Sequence, residues 1–311
     1  MKILIAGDWR SELHEQPVFQ ALLNLGHDVH RFAWHTYFDA SGRAGRLRPL
    51  FARLQNKYLF GPLVRRLNVE LLQQSAFIAP ELLFIYRGTH ICAATIRAIR
   101  SRLPGVIIVG YNNDDPFAPD QPRWLWRHFF ACLKEYDVAL AYRQHNLEDF
   151  RRHGARRTYL LRSWFVPQRN HPVVTPEREK EAFNSEVVFV GHYENDGRLE
   201  LLEAVVGAGH RLRLFGPGYD WDPVLAGSKA LRDLRPVKLV WGEDYNKALC
   251  GSKVALCFFS RLNRDTYTRR CFEIPATGTM MLSEYSSDLA SMFAEGREAE
   301  GSSAARVHDV L

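Results

Sequence analysis

The chain has 311 residues, 46% hydrophobic and 24% charged, which is a globular composition long enough for two domains and neither disordered nor fibrous. A formal net charge of +6 favours an anionic partner but does not choose among nucleotide sugar, acidic glycan, lipid surface and nucleic acid. The five cysteines, Cys92, Cys132, Cys250, Cys257 and Cys271, are odd in number, form no C-x-x-C and sit mostly in apolar runs, so they read as reduced core residues rather than a disulfide or zinc framework.

Met1 and Lys2 lead straight into Ile3 to Ala6, too short an apolar stretch for a secretory leader. No apolar run approaches the roughly 20 residues that span a bilayer. A cytoplasmic location is therefore expected. Lys2 to Gly7 reads as a central parallel strand, Pro17 to Leu25 as a helix stopped by Gly26, and Val29 to Trp34 as the next strand, the opening of a Rossmann-type half. The loop from Gly7 to Ser11 lacks G-x-G-x-x-G, which weakens a dehydrogenase reading. Asp8 and Trp9 fall at the carboxyl end of the strand, where open α/β sheets place their sites. Asp8 is equally suited to cap the helix.

Between Ala40 and Asn68 no acidic residue occurs, while Arg43, Arg46, Arg48, Arg53, Lys57, Arg65 and Arg66 alternate with apolar residues. The apolar positions 47, 50, 51, 54 and 58 have helical spacing, so the stretch reads as one amphipathic basic helix or a pair. Residues 43–66 can lie on an anionic membrane at its inner face or grip an acidic acceptor; they can equally be a solvated face over the domain core. The aromatics are spaced for packing rather than for stacking on bases, so nucleic acid is not expected.

Glu81 to Tyr86 and Val106 to Gly110 read as strands flanking a helix from His90 to Arg102. They bring Arg87, Asn113, Asp114 and Asp115 to the same carboxyl edge. The Asp pair before Pro116 is a common turn; if functional, either carboxylate is a candidate general base, and a metal-binding pair is the weaker reading. Trp124 to Tyr136 and Asn146 to His153 read as helices, Val138 to Ala141 and Thr158 to Leu161 as strands, completing a first domain of residues 1–165. Residues 166–185, with Pro and charge but no apolar period, read as a linker.

The second domain, residues 186–311, repeats the logic: a strand from Glu186 to Val190 ending in Gly191, a helix from Arg198 to Val206, and strands at Arg211 to Phe215, Val237 to Trp241 and Val254 to Phe259, with a helix from Tyr245 to Cys250. The last strand delivers the stretch RLNRDTYTRRCFEIPATGTMMLSEY, Arg261 to Tyr285, which reads as loop, short helix, Gly278 stop and strand. Asp265 or Thr266 is placed to cap that helix. The free N–H groups of its first turn, with Thr268, Arg269 and Arg270 beside them, offer donors to a phosphate, and Glu273 lies one turn further in. The same residues also fit a solvated helix face with an Asp265 to Arg269 pair.

The run RRCFEIPATGTMMLSEYSSDLASMF resembles the donor-nucleotide signature of GT-B glycosyltransferases, in the group-1-like branch related to the spore-maturation family, which reads R-x-x-E, then small-Ala-x-Gly and a strand. The resemblance implies an α/β fold of two Rossmann-like domains facing across a cleft. It places Glu273 on the ribose of a nucleotide sugar, Thr268 and Arg269 at its diphosphate, and Gly191 where the phosphates approach. With these go Arg198, Thr266, Tyr267, Thr277 and Gly278 on the donor side, and Asp8, Trp9, Arg87 and Asn113 on the acceptor side. The family's acidic position before the Glu is Asp265 here, and the His that many relatives carry in the first domain is replaced by Asn113, Asp114 and Asp115, leaving Asp114, Asp115 and Asp265 as catalytic candidates. The implied activity is metal-independent glycosyl transfer with retention, without a cofactor, in cell-surface glycan biosynthesis. A sugar-nucleotide epimerase of the same architecture and a non-catalytic nucleotide-sugar-binding protein are the rivals. The family continues past Gly296 with a further strand and helices, and their absence would leave the second domain incomplete.

Overall fold

The computed structural model describes residues 1–39, 47–294 and 300–302, and divides into two compact units, Met1–Arg162 and Ser163–Leu311. The first unit runs β1 (Lys2–Gly7), α1 (Glu15–Asn24), β2 (Asp28–Ala33), α2 (Leu47–Tyr58), α3 (Pro62–Ile78), β3 (Leu82–Tyr86), α4 (Ala93–Arg102), β4 (Ile107–Asn112), α5 (Arg127–Cys132), β5 (Val138–Ala141), α6 (Gln144–Arg152) and β6 (Thr158–Leu160). Its sheet is parallel in the order β2-β1-β3-β4-β5-β6. Ile3, Leu4, Ile5 and Ala6 are all buried, as a strand covered on both faces requires. In α3, Val64, Leu67, Leu71, Ser75 and Ile78 recur every three or four residues and form its buried face. Fully burying Leu67 and Leu71 contributes about 1.5–3 kcal/mol each.

The second unit runs α7 (Lys180–Phe183), β7 (Ser185–Val190), α8 (Arg198–Gly207), β8 (Leu212–Phe215), α9 (Gly218–Leu225), α10 (Glu243–Cys250), β9 (Ser252–Cys257), α11 (Arg270–Ala276), β10 (Met280–Glu284), α12 (Ser287–Ala290) and β11 (Glu300–Ser302). This sheet is parallel too, in the order β11-β10-β9-β7-β8. Strand order reverses direction between β1 and β3 in one unit and between β7 and β9 in the other, and at such switch points the loops leaving the carboxyl ends diverge and open a crevice.

Four expectations are corrected. The helix expected over Trp124 to Tyr136 is only α5 followed by a 3-10 turn, Leu133–Glu135. Val237 to Trp241 is not a strand: Lys238 makes one isolated bridge to Phe215, and the Val237 N–H goes to Asp222 Oδ1 at 2.9 Å. Residues 166–185 pack on the second unit, where the Arg169 carbonyl accepts from Asn246 Nδ2 at 2.6 Å, Glu179 pairs with Lys247 at 2.8 Å, and Phe183 is buried. Beyond Gly296 the chain supplies a further strand, β11, which pairs with β10 from Leu282 to Glu284.

The basic stretch forms a pair of helices, α2 and α3. Arg43 and Arg46 lie outside the described residues. Of the two readings left open for the apolar stripe of α2, Leu50, Phe51, Leu54 and Tyr58 are exposed rather than packed on the core, and among the described side chains of that helix Ala52 is the buried one. No helix among the described residues is long and apolar enough to cross a membrane.

Candidate functional site

In the second unit the residues at the β7/β9 switch point converge on α11. Glu273, in the first turn of that helix, is buried, and its Oε2 accepts from the Tyr245 hydroxyl at 3.0 Å. Burial first, and then the Glu273 carboxylate, hold the Tyr245 phenol well above its usual range, so it stays protonated and donates. Arg270 stands three residues before Glu273, on the same helix face. Its guanidinium lies over the Phe189 ring at 5.9 Å, and its Nε is buried without a hydrogen-bond partner.

Gly191, at the end of β7, makes this approach possible. A Cβ there would lie 2.8 Å from Phe189 Cζ and 3.3 Å from Arg270 Nη1. The glycine is fixed on both sides, its N–H donating to the Phe215 carbonyl at 2.9 Å and its carbonyl accepting from Trp221 Nε1 at 2.8 Å. A cation, a glycine loop and a buried carboxylate thus share one place.

Other predicted residues have structural duties. Arg198 is buried; its guanidinium takes Asp196 through Nε at 2.8 Å and Nη2 at 2.5 Å and donates from Nη1 to the His192 carbonyl at 2.5 Å, fastening the loop after Gly191. Tyr267 is fully buried, edge-on to Phe272 at 5.9 Å, as a packing residue. The Thr266 hydroxyl donates to Asp288 at 2.7 Å. Thr277 donates to the Ile274 carbonyl at 2.7 Å, and Gly278, at φ 76°, ends the helix in a conformation that costs glycine little. Asp265 closes its own loop, donating its N–H to the Ser260 carbonyl at 2.9 Å and accepting from the Ser260 N–H at 3.3 Å.

Neither Asp265 nor Thr266 caps α11. The Thr268 hydroxyl takes the Arg270 N–H at 3.1 Å, the Thr268 carbonyl takes that of Cys271 at 3.1 Å, and the Arg269 carbonyl takes those of Phe272 and Glu273 at 2.9 and 3.1 Å. The first-turn donors expected to face a phosphate are therefore already bonded. The cation facing Gly191 is Arg270, where the resemblance had put Arg269 at the diphosphate. The signal was present: in R-x-x-E the arginine is Arg270.

In the first unit, the acceptor-side candidates gather at the β1/β3 switch point and beside it. Arg87 follows β3 at φ 62° and forms an ion pair with Asp114, and its guanidinium lies 5.7 Å over the Trp126 ring. The Asn113 carbonyl accepts from Arg143 at 3.0 Å. Asp115 is fully buried, accepting from Asn146 Nδ2 at 2.9 Å, from the Phe117 N–H at 3.0 Å and from His145 Nε2 at 3.2 Å, so it anchors the turn rather than presenting a base. Trp9, at φ 64°, meets Phe19 edge-on at 5.6 Å, and the Asp8 carbonyl accepts from His35.

Sequence reading missed Glu15. Its carboxylate is buried under the loop after β1 and takes the Asp8 N–H at 2.8 Å. A side chain at Gly7 would collide with it. Burial raises its pKa above the ordinary glutamate value.

Residues 198–310 match the family model described as glycosyl transferase-like. Among solved structures, an α,α-trehalose-phosphate synthase (UDP-forming) from Burkholderia vietnamiensis is similar at TM-score 0.65 and 16% identity, over 100% of this chain and 90% of that one. A sucrose-phosphate synthase from Thermosynechococcus elongatus is similar at TM-score 0.61 and 13% identity, over 91% and 81%. A putative UDP-N-acetylglucosamine 2-epimerase from Listeria monocytogenes follows at TM-score 0.56 and 11% identity, over 99% and 86%. At these identities the likenesses establish the GT-B fold. No match was found among curated proteins.

Proposed function

We propose that this chain, GT-B in fold and glycosyl transferase-like over residues 198–310, moves a glycosyl group from a nucleotide-diphosphate sugar bound on its second unit to an acceptor held by its first. The observation that carries the reading is the grouping of Arg270, Glu273 and the Gly191 loop at the β7/β9 switch point. A carboxylate oriented by a phenol is suited to accept from the two hydroxyls of a ribose. The Arg270 guanidinium beside a glycine backbone is suited to a diphosphate, whose negative charge grows as the sugar–phosphate bond breaks. The cation would neutralise that charge in the transition state without metal, and transfer would proceed with retention. Asp114, held by Arg87, would orient an acceptor hydroxyl at the first unit's edge. Work at the inner face of a membrane, on cell-surface glycans, with contact through residues 43–66, completes the reading.

Thermal unfolding across nucleotide diphosphates and nucleotide sugars tests it. A ligand at 100 times its dissociation constant stabilises by about 2.7 kcal/mol, and Glu273→Ala should abolish the shift. If no nucleotide shifts the wild-type midpoint, the donor site is refuted. The likeness to an epimerase supports a second reading, interconversion of the sugar on the nucleotide. Product analysis without added acceptor decides, since an epimerase turns over alone.

A further inference from the structure

A cavity of about 670 Å³ opens in the first unit where α2 turns into α3, within the size range that takes a small ligand. Its wall is almost wholly apolar, built from Leu59, Phe60, Val64 and Trp124, with Cys92 and His128. The polar groups of His128 and Arg127 in that wall are already spent. His128 Nε2 donates to the Leu59 carbonyl at 3.0 Å, and Arg127 Nη2 donates to the Tyr58 and Leu59 carbonyls at 2.5 Å each. Burial keeps the His128 imidazole neutral and the Cys92 thiol protonated. A polar ligand would find little to bond inside, and an apolar chain would lose nothing by entering.

The chain around it is basic. From residue 47 to residue 69 it has no acidic side chain; Arg65 lines the cavity, and α2, which leads to it, carries Arg53 and Lys57, all three exposed and, among the described residues, without an ion-pair partner. Of the cavity's own lining, Tyr58, Phe60 and Trp124 are exposed, with Tyr58 and Trp124 tilted together at 5.7 Å, and α2 leads to them with Leu50, Phe51 and Leu54 exposed as well. An exposed apolar cluster of this extent around a cavity marks a binding surface rather than ordinary solvent-facing residues.

We infer that this cavity binds the hydrocarbon chain of an anionic amphiphile, with its phosphate or other anionic head on Arg65 and the basic side chains of α2, Arg53 and Lys57, adding to the field that attracts it. The inference deepens the proposed membrane contact by giving the first unit a specific lipid site, and it does not depend on the donor site.

The test uses the full chain and monododecyl phosphate below its critical micelle concentration, followed by titration calorimetry. The expected result is saturable binding of one molecule, with no binding of inorganic phosphate or of dodecyltrimethylammonium. Arg65→Glu and Trp124→Asp, both at exposed positions, should each weaken binding about tenfold, the loss of one charge-assisted or packed contact. Absence of saturable binding, equal binding of the cationic amphiphile, or unchanged affinity in both variants overturns the inference. Flotation with phosphatidylglycerol vesicles separates the two claims. If vesicles carry the protein while dodecyl phosphate does not bind, the cavity inference fails and surface contact stands. If the nucleotide-induced shift in midpoint is lost while dodecyl phosphate binds, the donor reading fails and the lipid site stands.

Discussion

Arg270 and Arg269 are neighbours in sequence, and replacing each in turn separates the structural assignment of the donor site from the one the sequence suggests. Arg270→Gln removes a guanidinium that packs over Phe189 and faces Gly191, and leaves the Glu273–Tyr245 bond in place. A hydrogen bond to a charged group is worth about 1.5–3 kcal/mol, so the dissociation constant for a nucleoside diphosphate should rise roughly 10- to 150-fold. Because the same free energy acts on a leaving diphosphate, turnover should fall further than affinity if the cation meets more charge in the transition state than in the bound donor. Arg269→Gln removes a half-buried guanidinium that is not the one meeting Gly191, and should change affinity by less than threefold, about the effect of a charge that does not touch the ligand. Calorimetric titration with the nucleotide found by thermal screening, at fixed ionic strength, reads both. If Arg269→Gln loses the affinity and Arg270→Gln keeps it, the geometry described for α11 is not the one that binds.

Gly191→Ala places a methyl 2.8 Å from the fully buried Phe189, and should cost about 1–3 kcal/mol of stability as overpacking, together with nucleotide binding; a variant with both unchanged would refute the close approach. Tyr245→Phe removes the donor to Glu273 and should weaken nucleotide binding severalfold with the fold intact, as read by the ligand-induced shift in midpoint. Glu15→Gln tests the buried carboxylate through pH. Its folded pKa lies above its unfolded one, so the stability it lends is full at low pH and is lost as pH rises through the folded value. The midpoint of Glu15→Gln minus that of wild type should therefore grow with pH from about 4 upward, and a difference independent of pH would show the carboxylate to be solvated.

The strands were readable because a sheet covered on both faces needs continuous apolar runs, as in Ile3 to Ala6 and Val187 to Val190. The same signal misled at Val237 to Trp241, where Val237 and Val240 are buried by packing but the backbone N–H of Val237 is already taken by Asp222. Conversely β11 reads Glu-Gly-Ser, with no apolar residue to announce it, and exists only because β10 offers an edge to pair with. The apolar positions of α2 have helical spacing, which leaves a surface-binding stripe and a face over the core both open, because periodicity alone cannot say on which side of a helix the core lies; Leu50, Phe51 and Leu54 are exposed.

The donor site shows the same division at finer grain. A short motif fixes which residues share a helix face, because 3.6 residues per turn bring positions three apart together and throw adjacent ones about 100° apart. That geometry puts both Arg269 and Arg270, four and three positions before Glu273, on its side of the helix, and it is the approach to Gly191 that singles out Arg270. What it does not contain is where the helix begins. Thr268 closes the turn with its own hydroxyl and carbonyl, using the N–H groups that a freer loop would have left for a phosphate. In the proposed site anion binding would then pass from backbone to side chain, and the absence of a Cβ at Gly191, a residue 79 positions earlier, is what admits the guanidinium. Arg270 and Gly191 are thus one unit of the proposed site. Their replacements should be strongly non-additive: Gly191→Ala, which displaces the guanidinium, should cost little further binding once Arg270 is already glutamine. Additive losses in the double variant would mean that the glycine serves the phosphates directly, with its own backbone.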